Sequence, residues 1–348
     1  MCAGFINQQQ PAVRNVFRIP EGFLNPPEQE DVAEQPDPEY FFIPSKADEA
    51  MAIAMVTVVH PITVVRALIQ FGYEPFPTSS GRKYGIFGNK VLFFPNIFSY
   101  TWHLAKSRRI STIFEGLDSA VFIYILSGTV EEYTWNLLGR KSKWLAGSGD
   151  EEKESLSSQL KFAMRLTLTD IAVKVATRPI KVVLFRQIAT IVGRETTFST
   201  LSGLENGVRN ANLFDGLGTE LRNVLLGSFL AFATRCVFSR FVKRKQTPSS
   251  DSLLEILYET MFSLNAKFFQ LSLSVLFQCT VGCPLEVTSK IRAIVGSGLS
   301  ASRNLPEQCA TSRGAWLFLS DRSALRNAFT WFFRIKPDGP RLLPEYEY

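Results

Sequence analysis

Four charged residues share one helical face inside an otherwise apolar stretch. Asp170, Lys174, Arg178 and Lys181 fall at i, i+4, i+8 and i+11. Arg165 and Arg186 stand at the two ends of that stretch. The intervening Leu166, Leu168, Ile171, Val173, Val175, Val182 and Val183 are apolar. A second stretch carries Lys267, Gln270, Ser274 and Gln278 at spacings of three and four, and a third opens with Glu220, Arg222 and Asn223. An amphipathic surface helix of a soluble protein would explain the first stripe alone. The second lies in a segment with no other charge, and this favours several helices turning their polar faces to a shared wet groove in a membrane. Each charge left in hydrocarbon costs roughly 2.5–3.5 kcal/mol on insertion scales.

Chemistry of the bond-making kind finds no residues. No Ser/His/Asp or Cys/His arrangement has a recognisable context, and there is no Gly-rich phosphate loop. Glu131 and Glu132 are adjacent, so on a helix they point about 100° apart. The five cysteines are odd in number and widely spaced, against a disulfide framework. Cys279 and Cys283 share a helical spacing, but with only His60 and His103 elsewhere they read as packing residues and not as metal ligands. The expectation is a protein that is not an enzyme and takes no metal or cofactor. The scattered basic loops flank apolar stretches, as loops do beside anionic membranes, and do not indicate nucleic acid.

The elements that would position these stripes repeat. Pro61, Pro179 and Pro284 each sit in a long apolar stretch, at intervals of 118 and 105 residues. An internal proline removes a helical hydrogen bond and kinks the helix. A second motif keeps the same register. Leu213-Phe214-Asp215-Gly216 leads to Leu221-Arg222-Asn223, and 104 residues later Leu317-Phe318-Leu319-Ser320 leads to Leu325-Arg326-Asn327. Ile113-Phe114-Glu115-Gly116-Leu117 holds that place in the first copy. Three copies of one helix–loop–helix unit follow, over residues 47–150, 151–248 and 249–335, between tails at 1–46 and 336–348.

The apolar stretches run over residues 50–71, 117–138, 160–192, 217–242 and 262–295, with a basic, Gly/Pro-rich loop at 72–115. Phe268 to Leu285 is uncharged for 18 residues, the usual lower limit for a span. The stretch from Trp316 to Ile335 contains Asp321, Arg322, Arg326 and Arg334, and reads as an interfacial or half-buried helix. The fold expected is an all-α membrane bundle of three repeats, with five clear spans and a degenerate sixth. The mean hydropathy of +0.05 is low for a multi-span protein, so a soluble helical protein remains the alternative. Residues 21–49 hold nine acids against Lys46 alone, with five prolines, and read as a disordered tail. It lacks the Arg-rich character of a matrix presequence, so an organelle address would be internal.

The three units resemble the mitochondrial carrier repeat, whose first helix carries Pro-x-acid-x-x-base-x-base-x-Gln. Pro61, Arg66 and Gln70 match it, as do Pro179 with Arg186, and Pro284 with Glu286. The acidic position holds Thr63, Lys181 and Glu286, and the basic position Arg66, Leu184 and Ser289. One acid and one base cannot make the ring of three salt bridges that closes a solute carrier. One subfamily is more similar, the mitochondrial carrier homologs. The similarity runs through His60-Pro61 to Arg66, Leu68-Ile69-Gln70-Phe71-Gly72-Tyr73-Glu74-Pro75, Gly81-Arg82, Ile86-Phe87-Gly88, Phe98-Ser99-Tyr100 with His103, and Ile191 to Glu195. What this resemblance implies is a degenerate carrier of the outer mitochondrial membrane, multi-pass, that has lost transport and its last full span. It implies insertion of helical proteins, tail-anchored ones included, into that membrane, with lipid scrambling as a second activity and a connection to apoptosis. Partners would be membrane lipids and helical client proteins.

In that frame Arg66, Lys174, Arg178, Lys181 and Arg186 are the groove cations. Asp170, Glu220, Arg222, Asn223 and Glu286 complete the polar path, and Pro61, Pro179 and Pro284 shape the helices. The alternative for each charge is a snorkelling or interfacial position. Two other functions stay open: a mitochondrial solute carrier, and a membrane docking scaffold that binds partners and inserts nothing. Oligomeric state and the side faced by the termini are not fixed by the sequence.

Overall fold

A computed structural model describes residues 46–84, 87–141, 156–195, 205, 212–243, 276–303, 305–321 and 334–336. Two proline stretches form long helices that continue through the proline: α1, Lys46–Phe71, contains Pro61, and α4, Leu156–Gly193, contains Pro179. The third also lies within unbroken helix, from Leu276 to Ile294, but at a change of helix type. Pro284 lies in the first turn of α6, Cys283–Ile294, directly after a π-helical turn over Gln278–Gly282. The proline ring removes one N–H donor from the helix, and the wider π-turn before it gives room for the ring against the preceding carbonyls.

Helix α1 stops in a Schellman cap. Gly72 N–H donates to the Ile69 carbonyl and Tyr73 N–H to the Leu68 carbonyl, both at 3.0 Å, with Gly72 at φ 82°. The segment that follows was expected as a basic loop and is ordered instead. Strands β1, Ser79–Tyr84, and β2, Phe87–Phe94, form an antiparallel hairpin. Helix α2, Ile97–Ser107, is capped by Asn96, whose side chain accepts from Ser99 N–H at 2.7 Å. A 3₁₀ turn, Ile110–Phe114, then leads into α3, Leu117–Lys141.

The chain returns to this hairpin from far away. Strand β3, Arg334–Ile335, pairs antiparallel with β2, Phe93 facing Ile335 and Phe94 facing Arg334. The all-α expectation is therefore corrected: the fold is mostly helical, with a three-stranded sheet ordered β1–β2–β3. The helix expected through Ile335 is also corrected at that point. Helix α8 covers Ser312–Asp321, whereas Arg334 and Ile335 are strand. Among the described residues the other α-helices are α5, Leu217–Lys243, and the short α7, Ser300–Arg303, followed by a 3₁₀ turn at Glu307–Ala310.

Helix α4 is the centre of the molecule. Every residue from Ile180 to Val192 is buried. Around it pack Val64, Leu68 and Phe71 of α1, Tyr100 and Leu104 of α2, and Val287, Ile291 and Ile294 of α6. The outer faces are apolar as well. Met51, Met55 and Val58 on α1, Phe122 and Ile125 on α3, and Leu225, Leu226 and Phe229 on α5 are all exposed. An exposed apolar surface of that extent is suited to hydrocarbon or to a partner, not to water.

Among the described residues two stretches, Glu49–Phe71 and Ile110–Gly139, are long and apolar enough to cross a membrane. The five spans expected are not all present on that criterion. Helices α4 and α5 carry their polar faces along their length, and most of the fifth stretch lies outside the described residues, with Lys267, Gln270 and Ser274. The tail expected over 1–46 lies outside too, except for Lys46, which opens α1.

Candidate functional site

The polar residues of three helices meet on one side of α4. Arg66 of α1 donates to Glu286 of α6 at 2.8 Å. The other carboxylate oxygen of Glu286 lies 2.6 Å from Lys290 Nζ, one turn along α6. Lys290 Nζ also donates to Gln70 Oε1 at 2.6 Å, which returns the chain of contacts to α1. A second cluster joins α4 to α5. Arg178 Nη1 lies 3.0 Å from Glu220 Oε1, and Lys181 Nζ lies 4.0 Å from Glu220 Oε2. Lys174 stands within electrostatic reach of Asp170, Glu220 and Glu286, and so links the two clusters.

Of the ten polar-path residues expected, seven come together: Arg66, Asp170, Lys174, Arg178, Lys181, Glu220 and Glu286. Three do not. Arg186 donates from Nε to the Ala293 carbonyl at 3.0 Å and ties α4 to α6. Arg222 is exposed, and Asn223 is half-buried on the same helix. Two contributors were not expected there, Gln70 and Lys290. Lys290 was findable, since Glu286 and Lys290 are an i, i+4 acid–base pair. With it the site holds five cations, Arg66, Lys174, Arg178, Lys181 and Lys290, against the three carboxylates of Asp170, Glu220 and Glu286. The desolvation of such groups is offset only while each keeps its partners.

Arg178 has a second role that its place in the stripe does not announce. It donates to the Asp215 carbonyl from Nε at 2.8 Å and to the Ser289 carbonyl at 3.1 Å. His60 stands in the same relation to an earlier turn: its Nε2 lies 3.0 Å from the Glu115 carbonyl. A carbonyl only accepts, so Nε2 carries the proton. His60 and Arg178 each precede a helical proline, and Glu115 and Asp215 each precede a glycine at φ 79°. The sequence separations are 55 and 37. The hairpin β1–β2 accounts for the surplus in the first.

Both glycines are also seats for the next proline helix. A Cβ on Gly116 would meet Leu184 at 2.7 Å, and one on Gly216 would meet the Ser289 carbonyl at 2.7 Å. Leu184 and Ser289 occupy the positions where the carrier repeat has a base. Cys283, which precedes Pro284, and Leu319 of α8 are both buried.

The geometry defines a class first: a largely helical protein with apolar outer faces and a charged, paired interior. No protein-family model matches the chain. The chain is 26% identical over 294 residues to a Homo sapiens protein named mitochondrial carrier homolog 2, an alignment covering 80% of this chain and 90% of the relative. The Mus musculus protein of that name is 25% identical over 293 residues, with the same coverage. The Bos taurus protein is 30% identical over 148 residues, 40% of this chain and 47% of the relative. These relatives bear out the resemblance to the mitochondrial carrier homolog family.

Proposed function

We propose that this chain is a multi-pass protein of the outer mitochondrial membrane that inserts α-helical proteins, tail-anchored ones included, and that it is not an enzyme. The observation that carries the reading is the paired charge cluster beside α4, enclosed by helices whose outer faces are apolar. Polar side chains facing inward offer a partly hydrated path for the polar flank of an incoming helix, which would otherwise cross hydrocarbon alone. The same path suits a lipid headgroup, so scrambling of lipids accompanies the first activity. Three carrier-like repeats are the architecture proposed, with the sixth span replaced by the short α8 and the charged sequence after it, leaving a lateral opening.

The gate positions argue against a metabolite carrier. Arg66 and Glu286 form one rung between the first and third units. Lys181 turns to Glu220, while Leu184 and Ser289 lie on glycine turns. A ring of three cannot close from these residues. The name of the relatives supports the mitochondrial location.

The test uses purified protein in liposomes with a tail-anchored client. Lys174→Glu and Lys181→Glu are the informative variants, with exposed Arg222→Glu as the control. Arg178 is avoided because it also holds the Asp215 turn. Insertion altered severalfold by the first two and unaltered by the third is expected. Unchanged insertion in folded variants removes the groove reading. Client binding without faster insertion favours the docking scaffold.

A further inference from the structure

Helix α2 presents a face that the groove does not use. Its inner side is buried through Ile97, Tyr100 and Leu104. Its outer side carries Phe98, Trp102 and Lys106, one every four residues, with Arg109 just past its end. Phe98 is 55% and Trp102 71% exposed, and Lys106 and Arg109 are exposed too. The hairpin beside it adds Arg82 and Lys90, both exposed.

The position of α2 is fixed by contacts to helix ends. Tyr100 donates to the Tyr73 carbonyl at 2.7 Å, just past the end of α1. Arg108 donates to the Ile191 carbonyl at 2.5 Å, near the end of α4, and to the Tyr73 hydroxyl at 3.0 Å. The next apolar stretch begins at Ile110, itself 68% exposed. The stripe therefore sits where two membrane-length stretches, Glu49–Phe71 and Ile110–Gly139, end and begin.

We propose that the Phe98–Trp102–Lys106–Arg109 stripe is a docking face for an anionic bilayer surface, fixing the depth of α1 and α3 from outside the groove. Aromatic rings settle at the headgroup level, where an apolar body and a polar edge are both accommodated. Cations beside them attract lipid phosphates, and each contributes about fivefold to surface affinity at a negatively charged leaflet. The proposal rests on the membrane reading above.

Two single-tryptophan proteins separate its failure from the failure of that reading. One keeps Trp102, with the other four tryptophans changed to phenylalanine. The other replaces Trp102 as well and carries Ile125→Trp on the exposed face of α3. Both are reconstituted in phosphatidylcholine vesicles with and without phosphatidylglycerol, using lipids brominated high or low on the acyl chain. Trp102 should be quenched roughly twofold more by shallow than by deep bromines, more strongly when phosphatidylglycerol is present. Lys106→Glu with Arg109→Glu should abolish the phosphatidylglycerol effect, while the Ile125→Trp probe is quenched by deep bromines throughout. Trp102 accessible only to aqueous iodide, with the Ile125→Trp probe still quenched by lipid, overturns the docking face and leaves the spans standing. Quenching of Trp102 indifferent to phosphatidylglycerol overturns it too. If lipid quenches neither probe, the membrane reading falls and this proposal with it.

Discussion

At the scale of single residues, Arg178 and Glu286 should differ in how much stability they carry. Arg178 is fully buried and serves Glu220 and two backbone carbonyls. Arg178→Ala leaves a carboxylate and two carbonyls short of a donor, a loss of about 3 kcal/mol. Glu286 keeps a side-chain exposure of 28%, so water screens what Glu286→Gln removes, and about 2 kcal/mol is expected. A thermal melt in detergent, followed by a thiol-reactive dye, reads both, since Cys283 and Cys309 are buried until the fold opens. The stripe on α4 was legible from spacing alone, because a helix of 3.6 residues per turn lets a sequence place its own faces. The partners of the stripe were less so. Arg66 and Glu286 are 220 residues apart, and nothing local in either stretch says that they touch. Arg186 shows the reverse failure: it lies at the end of the same apolar stretch, yet spends its guanidinium on the Ala293 backbone.

At the scale of elements, the glycine turns ahead of α3 and α5 are the joints between successive helices. Gly216→Ala places a Cβ against Ser289 and forces a left-handed backbone on a residue that resists it, a cost of about 2 kcal/mol. Gly128→Ala in α3, where a Cβ meets nothing within 4 Å, should instead stabilise by about 0.5 kcal/mol. Denaturation midpoints of the two variants should therefore move in opposite directions. The repeat of prolines and of the glycine motif was visible in the sequence because both act on the backbone within a few residues. The hairpin was not. Its basic residues and glycines gave it the look of a loop, and the strand signal in Lys90-Val91-Leu92-Phe93-Phe94 is short. The π-turn ahead of Pro284 was not legible, because it leaves no mark in residue types.

At the scale of the whole molecule, β3 ties residue 334 to the β1–β2 hairpin. Arg334 is 1% exposed, paired with Glu74 and donating to the Pro95 carbonyl at 3.1 Å. Burial pulls its guanidinium down to about 10, so it stays charged at physiological pH. Glu74 belongs to the Gln-x-Gly-Tyr-Glu-Pro run most specific to the family resemblance, and the structure employs each of its polar residues. Gln70 binds Lys290, Tyr73 binds Arg108, and Glu74 binds Arg334. Glu74→Arg or Arg334→Glu alone should speed proteolytic release of the segment around Ile335 by about tenfold, and the two together should restore much of the protection. No local pattern announced this pairing, for the partners lie 239 residues apart at the Pro95 contact. That separation has a bearing on how the protein is made. While a ribosome is still delivering residues beyond α6, β2 has a bare edge and the half-buried Glu74 carboxylate has yet to meet Arg334. The sheet is finished only once residue 335 is free to reach it, after α1 and the hairpin have long been synthesised. Chains that stall before that point carry an open strand edge and an uncompensated charge, which is the kind of surface that quality-control chaperones and proteases bind.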